Sequence, residues 1–159
     1  MATDQPTIGV TMGDPAGIGP EITLEAIADE DVREATRLVV LGDLDHLRSV
    51  ADDLGIEVEL RPVESVDGAT ADGLVDVVDF DNVDSFEYGE LDAENGRVSL
   101  DYVDRAIELV IEGAVDGLAN APIHKKAISL AGSEYAGHTG MMAARTGTER
   151  YAALVSDGE

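Results

Sequence analysis

The chain contains no cysteine and no tryptophan. Without cysteine it has no disulfide frame, no thiolate metal site and no thiol nucleophile. Lysine is nearly absent: of ten basic residues eight are arginine, and only Lys125 and Lys126 are lysine. No stretch approaches the roughly 20 apolar residues of a membrane-spanning helix. Residues 1–6 show no basic region followed by an apolar core, so no secretory signal is expected. Positive charge is scarce overall. Against the ten cations stand 34 Asp and Glu, a formal net charge of −24 over 159 residues. Such a chain repels phosphate backbones and anionic lipid surfaces, which excludes nucleic-acid and polybasic membrane binding. A soluble, cytoplasmic protein is expected.

What is present suits a packed fold. Hydrophobic residues make up 44%, whereas disorder pairs high charge with low hydrophobicity. The length fits one domain or one lobe of a larger enzyme. Acid enrichment with almost no lysine points to a salt-rich cytoplasm, where self-repulsion is screened within about 3 Å at molar salt.

The pattern alternates between strands and helices. Residues 7–12 (TIGVTM) read as a strand that enters a Gly/Pro-rich loop, residues 13–19 (GDPAGIG). Pro20 suits the first turn of a helix, with Ile22, Leu24, Ile27 and Ala28 as its apolar face. The apolar run 38–41 reads as a buried strand. A helix over 44–54 should stop at Gly55. The alternation of residues 56–60 (IEVEL) predicts a half-exposed strand. Residues 61–96 are acidic and irregular, with one strand over 74–80 and loops or a small insertion elsewhere. Helical spacing returns over 98–115, placing Leu100, Val103, Ile107, Val110 and Ile111 on one face. A strand over 118–121, helices over 125–130 and 139–145, and a last strand over 150–155 (RYAALV) complete the reading. This order predicts an α/β fold with a mainly parallel sheet flanked by helices. Such sheets bind ligands beyond the C-terminal ends of their strands. Both Gly/Pro-rich loops, 13–20 and 120–124, lie there.

Two segments carry candidate chemistry. In TMGDPAGIGPE, Gly13, Asp14, Gly17 and Gly19 would form a loop that lets backbone approach a ligand, ahead of a helix N-terminus that attracts anions. A plain strand-to-helix turn is the alternative. In NAPIHKKAISLAGSEYAGHTG, both lysines sit beside His124. A chain that otherwise uses arginine keeps lysine where a compact ammonium is needed, to meet phosphate or to move a proton. His138 and Thr139 could donate to an anionic substrate; the alternative is local capping, with Thr139 as N-cap. His46 is read as a surface residue without a role. His124 and His138 could supply at most part of a coordination sphere, and no metal ligand is assigned.

TMGDPAGIGPE, GRVSLDYVDRAIEL, VDGLANAPIHKKAI and AGSEYAGHTG, in this order, resemble the 4-hydroxythreonine-4-phosphate dehydrogenase family over residues 7–159. The first segment is also similar to the GDGIGPE loop of the isocitrate and isopropylmalate dehydrogenases, whose fold the family shares. The resemblance implies NAD- or NADP-dependent oxidation of 4-phosphohydroxy-L-threonine, a small phosphorylated hydroxy acid, followed by decarboxylation. It implies a divalent metal (Zn, Mg, Co or Mn) that polarises the hydroxyl, and a homodimer. His138 and Thr139 match the family's substrate-binding His and Thr. Lys125 matches the lysine of the family's proline-containing segment, and His124 stands beside it. Family members are about twice this length, and their metal-binding histidines fall beyond the point matching Glu159. The chain is therefore expected to be the N-terminal part of a two-lobed dehydrogenase, with an incomplete sheet and no activity alone. Gly140 stands where the family usually has Glu. Two other readings are a 4-phospho-threonate or 4-phospho-erythronate dehydrogenase, and a truncated, inactive binding or dimerisation module.

The acidic composition gives the first prediction. Thermal unfolding in increasing KCl should show the melting temperature rising with salt. Equal stability in dilute buffer and in concentrated KCl would remove the high-salt reading.

Overall fold

The computed structural model describes residues 5–66, 73–83, 87–152 and 154. Its five strands are β1 (Thr7–Thr11), β2 (Arg37–Gly42), β3 (Leu60–Pro62), β4 (Val75–Asp79) and β5 (Gly117–Asn120). They form one sheet in the order β3-β4-β2-β1-β5, and every described pairing is parallel. The helices among the described residues are α1 (Gly19–Ala28), α2 (Glu30–Ala35), α3 (Leu44–Leu54), α4 (Ala93–Glu112), α5 (Lys125–Leu130) and α6 (His138–Thr146).

Handedness sorts the helices onto two faces. The connections from β1 to β2 and from β2 to β3 run one way across the sheet. The connection from β4 to β5 runs back over β2 and β1. With right-handed crossovers, α1 and α3 cover one face and α4 the other. The packing agrees: α1 touches α3, while α4 touches β1, β2, β5, α5 and α6.

The apolar runs explain the core. Val39, Val40 and Leu41 of the central strand β2 are fully buried, as is Val77 of β4. Covered on both sides, β2 reads as a continuous apolar run. Leu24, Ile27 and Leu47 close one face; Val98 and Tyr102 close the other. Each such side chain contributes about 1.5–3 kcal/mol by burial. The Tyr102 ring meets Phe80 edge-on at 4.9 Å, and its hydroxyl donates to Asn82 Oδ1 at 3.0 Å. Among the described residues no helix is long and apolar enough to cross a membrane.

Several expectations need correction. The strand expected at residues 56–60 begins only at Leu60, because β3 is an edge strand and pairs with β4 through Leu60, Arg61 and Pro62. Helix α4 starts at Ala93, not at residue 98. Gly96 hid this first turn, yet it is required there: a side chain at Gly96 would run into the Ala127 carbonyl where α5 crosses α4. Val110 and Ile111 are exposed, because α6 packs on α4 only around Val103 and Ile107. Ile22 is also exposed; Thr23 takes the buried position in α1. Helix α2, capped by Asp29, was absent from the sequence reading. Of the strand expected at 150–155, residues 150–152 and 154 are described, and none lies in a strand. No described strand offers them a partner; residues 153 and 155 lie outside the described residues.

Two glycine substitutions test the packing. Gly96→Ala should destabilise the fold by about 1–3 kcal/mol through overpacking, read as a lower urea midpoint. Gly140→Ala, where a side chain meets open space, should be neutral or stabilising by up to about 1 kcal/mol.

Candidate functional site

The strand order places a topological switch point between the C-terminal ends of β1 and β5. From β1 the chain turns toward α1 on one face. From β5 it turns toward α5, which packs on α4 at the other face. Neighbouring strands whose connections part in this way leave a gap at their carboxyl ends, the usual ligand position in open parallel sheets.

The two loops at this gap are bonded to each other. Thr11 Oγ1 donates to Asn120 Oδ1 at 3.1 Å. The Ala121 N–H donates to the Thr11 carbonyl and the Asp14 N–H to the Pro122 carbonyl, both at 3.1 Å. Gly13 has φ +75°, and a Cβ there would sit 2.5 Å from the Pro122 oxygen; one at Gly19 would collide with the Met12 carbonyl. Contact between the loops therefore demands Gly13, and the fold of the first loop back onto Met12 demands Gly19. Gly17 is exposed, with no such restriction. Asp14 is buried, and its Oδ1 accepts the Ala16 N–H at 3.0 Å. It closes the turn from within, as aspartates commonly do.

The remaining loop carbonyls are served from outside. The Ser99 hydroxyl of α4 lies 2.6 Å from the Asn95 carbonyl and 3.3 Å from the Gly13 carbonyl, and its one proton is shared between them. His46 of α3 lies 3.1 Å from the Pro15 carbonyl, and the Gly89 N–H donates to the Ala16 carbonyl at 2.8 Å. At the start of α1, the N–H groups of Ile18, Gly19 and Glu21 find no acceptor among the described residues. They leave partial positive charge at the crevice.

The surface expected for His46 is corrected here. The residue is 6% exposed, and burial pushes its imidazole below the ordinary range. A signal for this was present: His46 lies one helical turn before Val50, on the buried face of α3. Ser99 lies one turn before Val103 in the same way.

The second segment begins with His124 as N-cap of α5; its Nδ1 accepts the Lys126 N–H at 3.2 Å. That fixes the neutral ring's proton on Nε2. Lys125 and Lys126 are exposed, and neither forms an ion pair among the described residues. Arg150 is likewise exposed and forms no ion pair among the described residues, but the other seven arginines behave differently. Arg48, Arg61, Arg97, Arg105 and Arg145 all meet carboxylates, while Arg33 and Arg37 donate to backbone carbonyls. The two lysines thus remain uncompensated in a chain rich in acid.

His138 and Thr139 open α6, whose N-cap is Gly137. Thr139 is therefore inside the helix, which corrects the capping alternative. His138 Nε2 is buried and has no partner; burial alone pushes its imidazole down. No hydrogen bond or ion pair joins His138 or Thr139 to the two crevice loops among the described residues. A cavity of about 560 Å³ lies at the opposite end of the sheet beside Arg33, Arg37 and Asp76.

The model of the pyridoxal phosphate biosynthetic protein PdxA family matches residues 33–159. The chain belongs to the PdxA family. A D-threonate 4-phosphate dehydrogenase of Salmonella typhimurium is 39% identical over 94% of this chain and 46% of its own length. A 4-hydroxythreonine-4-phosphate dehydrogenase of Desulforapulum autotrophicum is 33% identical over 98% of this chain and 47% of its own. The solved structure of a 4-hydroxythreonine-4-phosphate dehydrogenase from Burkholderia phymatum superposes with a TM-score of 0.87 at 34% identity, over 92% of this chain and 45% of that one. The chain spans about half the length of the relatives it matches. The parallel sheet is thus the PdxA version of the isocitrate dehydrogenase-like fold, as expected, and the chain is a member of a dehydrogenase family.

The His138 environment yields a pH prediction. The unfolded chain titrates this ring near pH 6.5, while the folded state holds it neutral to lower pH. Its contribution is present above about pH 6.5 and is lost as pH falls through the window down to the lowered folded value. Between about pH 7.5 and 5.5, the urea midpoint of the wild type should therefore fall more than that of His138→Gln. Equal slopes would show a ring that is not held neutral.

Proposed function

We propose that the intact protein is an NAD- or NADP-dependent dehydrogenase of 4-phosphorylated hydroxy acids, and that this chain is its N-terminal, substrate-binding part. The observation that carries the reading is the buried, unpartnered His138 Nε2 in the AGSEYAGHTG segment. A buried polar atom without a partner costs about 1–3 kcal/mol, and a substrate oxygen would relieve that cost. Thr139, exposed beside it, offers a hydroxyl to the same ligand. Lys125 supplies uncompensated positive charge for the phosphate, with His124 and Lys126 beside it. Residues 13–19 bring open N–H groups toward an anion.

Oxidation removes a hydride from the carbinol carbon and a proton from its hydroxyl, leaving a β-keto acid that loses CO2. A bound nicotinamide supplies the hydride acceptor; no residue of this chain is assigned to hold it. Among the described residues no group of three His, Asp or Glu could hold a metal ion. No step is therefore derived through one, and we assign the ligands of the expected divalent metal to residues beyond this chain. A homodimer with sites at the subunit interface belongs to the same proposal.

The substrate has two readings. The D. autotrophicum relative is named for 4-hydroxythreonine 4-phosphate, which remains our first choice. The more similar S. typhimurium relative is named for D-threonate 4-phosphate, and that identity supports the second.

The test is reduction of NAD or NADP by the full-length protein, followed by absorbance, with each substrate and Mg2+, Mn2+, Co2+ or Zn2+ in turn. Turnover is expected, and the larger kcat/KM assigns the substrate. Lys125→Met should lower kcat/KM by about tenfold to a hundredfold, the worth of a hydrogen bond to a charged group. No turnover with either substrate overturns the dehydrogenase reading; binding without turnover would favour a ligand-binding module.

A further inference from the structure

We propose that His46 is a positioning residue for the 13–19 loop, acting through a hydrogen bond from its Nε2–H to the Pro15 carbonyl. The two atoms are 3.1 Å apart. A carbonyl can only accept, so the ring nitrogen is the donor. Pro15 is buried and has no N–H of its own. Its oxygen lies mid-turn, beyond any strand ladder, and a buried carbonyl needs a partner.

His46 is itself held by a relay of bonds from the opposite face. Its backbone N–H donates to Asp43 Oδ1 at 2.9 Å. Asp43 Oδ2 accepts the N–H groups of Asn82 and Val83, both at 3.1 Å. Asn82 Oδ1 accepts the Tyr102 hydroxyl of α4 at 3.0 Å. The imidazole thus transmits the position of α4, through the residues after β4 and the start of α3, to the turn after β1. Ser99, also on α4, bonds the same turn at Gly13. Because the Ser99 proton is shared with the closer Asn95 carbonyl, the undivided bond from this network to the turn is the one His46 makes. That this loop serves a phosphorylated substrate rests on the function proposed above; that His46 fixes its conformation does not.

The experiment compares His46→Leu and His46→Gln in the full-length protein. Leucine keeps apolar volume without a donor, whereas glutamine places an N–H at similar reach. The first readout is amide hydrogen exchange, which needs no ligand. His46→Leu should speed exchange at Asp14, Ala16 and Gly17, whose N–H groups are hydrogen-bonded in the turn, about tenfold, the equivalent of one net hydrogen bond. Exchange in β2 and β4 should stay unchanged, and His46→Gln should return the loop to within about twofold of wild type. Wild-type exchange in the leucine variant, exchange raised throughout the chain, or a glutamine variant as fast as the leucine one would overturn the proposal. The second readout is dehydrogenase kcat/KM, expected to fall about tenfold in His46→Leu and to recover in His46→Gln. If wild-type protein turns over neither substrate, the functional reading fails, and exchange still decides the role of His46.

Discussion

A buried turn at the end of a parallel strand must find partners for backbone groups that no ladder can serve. The rest of this structure depends on how that demand is met after β1. Asp14 closes the turn from inside. The Pro122 carbonyl, Ser99 and His46 reach it from the β5 loop, α4 and α3. Elements from both faces of the sheet therefore converge on one short segment. The convergence also explains Gly13, where a side chain would push apart the backbones these bonds draw together, while Gly19 is required where the loop folds back on Met12. Preorganisation of this kind means that a ligand arriving at the crevice need not order the loop.

Much of this was legible in sequence, and the reasons are local. Helix α3 was read at its true limits because Asp43 caps its start and Gly55 takes the left-handed conformation at its end. Helix α5 was equally clear between His124 and the glycine after it. The early start of α4 was not, because Gly96 resembles punctuation until α5 is seen lying across it. His46 was misread because flanking charge outweighed helical spacing, which correctly put it on the buried face. The alternation in residues 56–60 signalled a strand, yet a ladder depends on a partner's register, and sequence spacing does not contain that. Of the candidate site, the two loops were found from their glycines and prolines. The bonds joining them run between residues more than a hundred positions apart, beyond any local pattern.

Charge is organised rather than merely abundant. Arg97, Arg105 and Arg145 interleave with Glu94, Asp101, Asp104, Glu108 and Glu112 along the outer side of α4. Each pair is at least a third exposed and worth at most about 1 kcal/mol. Together they stop the acidic stripe of a long helix from repelling itself, and they join α6 to α4 through Arg145. With five arginines committed to carboxylates, Lys125 and Lys126 are among the few cations without an ion pair among the described residues. This gives structural content to the near-absence of lysine elsewhere.

Gly140 sits in the first turn of α6 with open space where a side chain would go. A glycine codon can become a glutamate codon by one base change. The backbone already accommodates that product, and an acidic side chain in a helix's first turn is favourable. The position is therefore an evolutionary hinge: a lineage could gain or lose the carboxylate beside His138 without passing through a misfolded intermediate. Selection on the ligand alone, not on the fold, would decide which form persists.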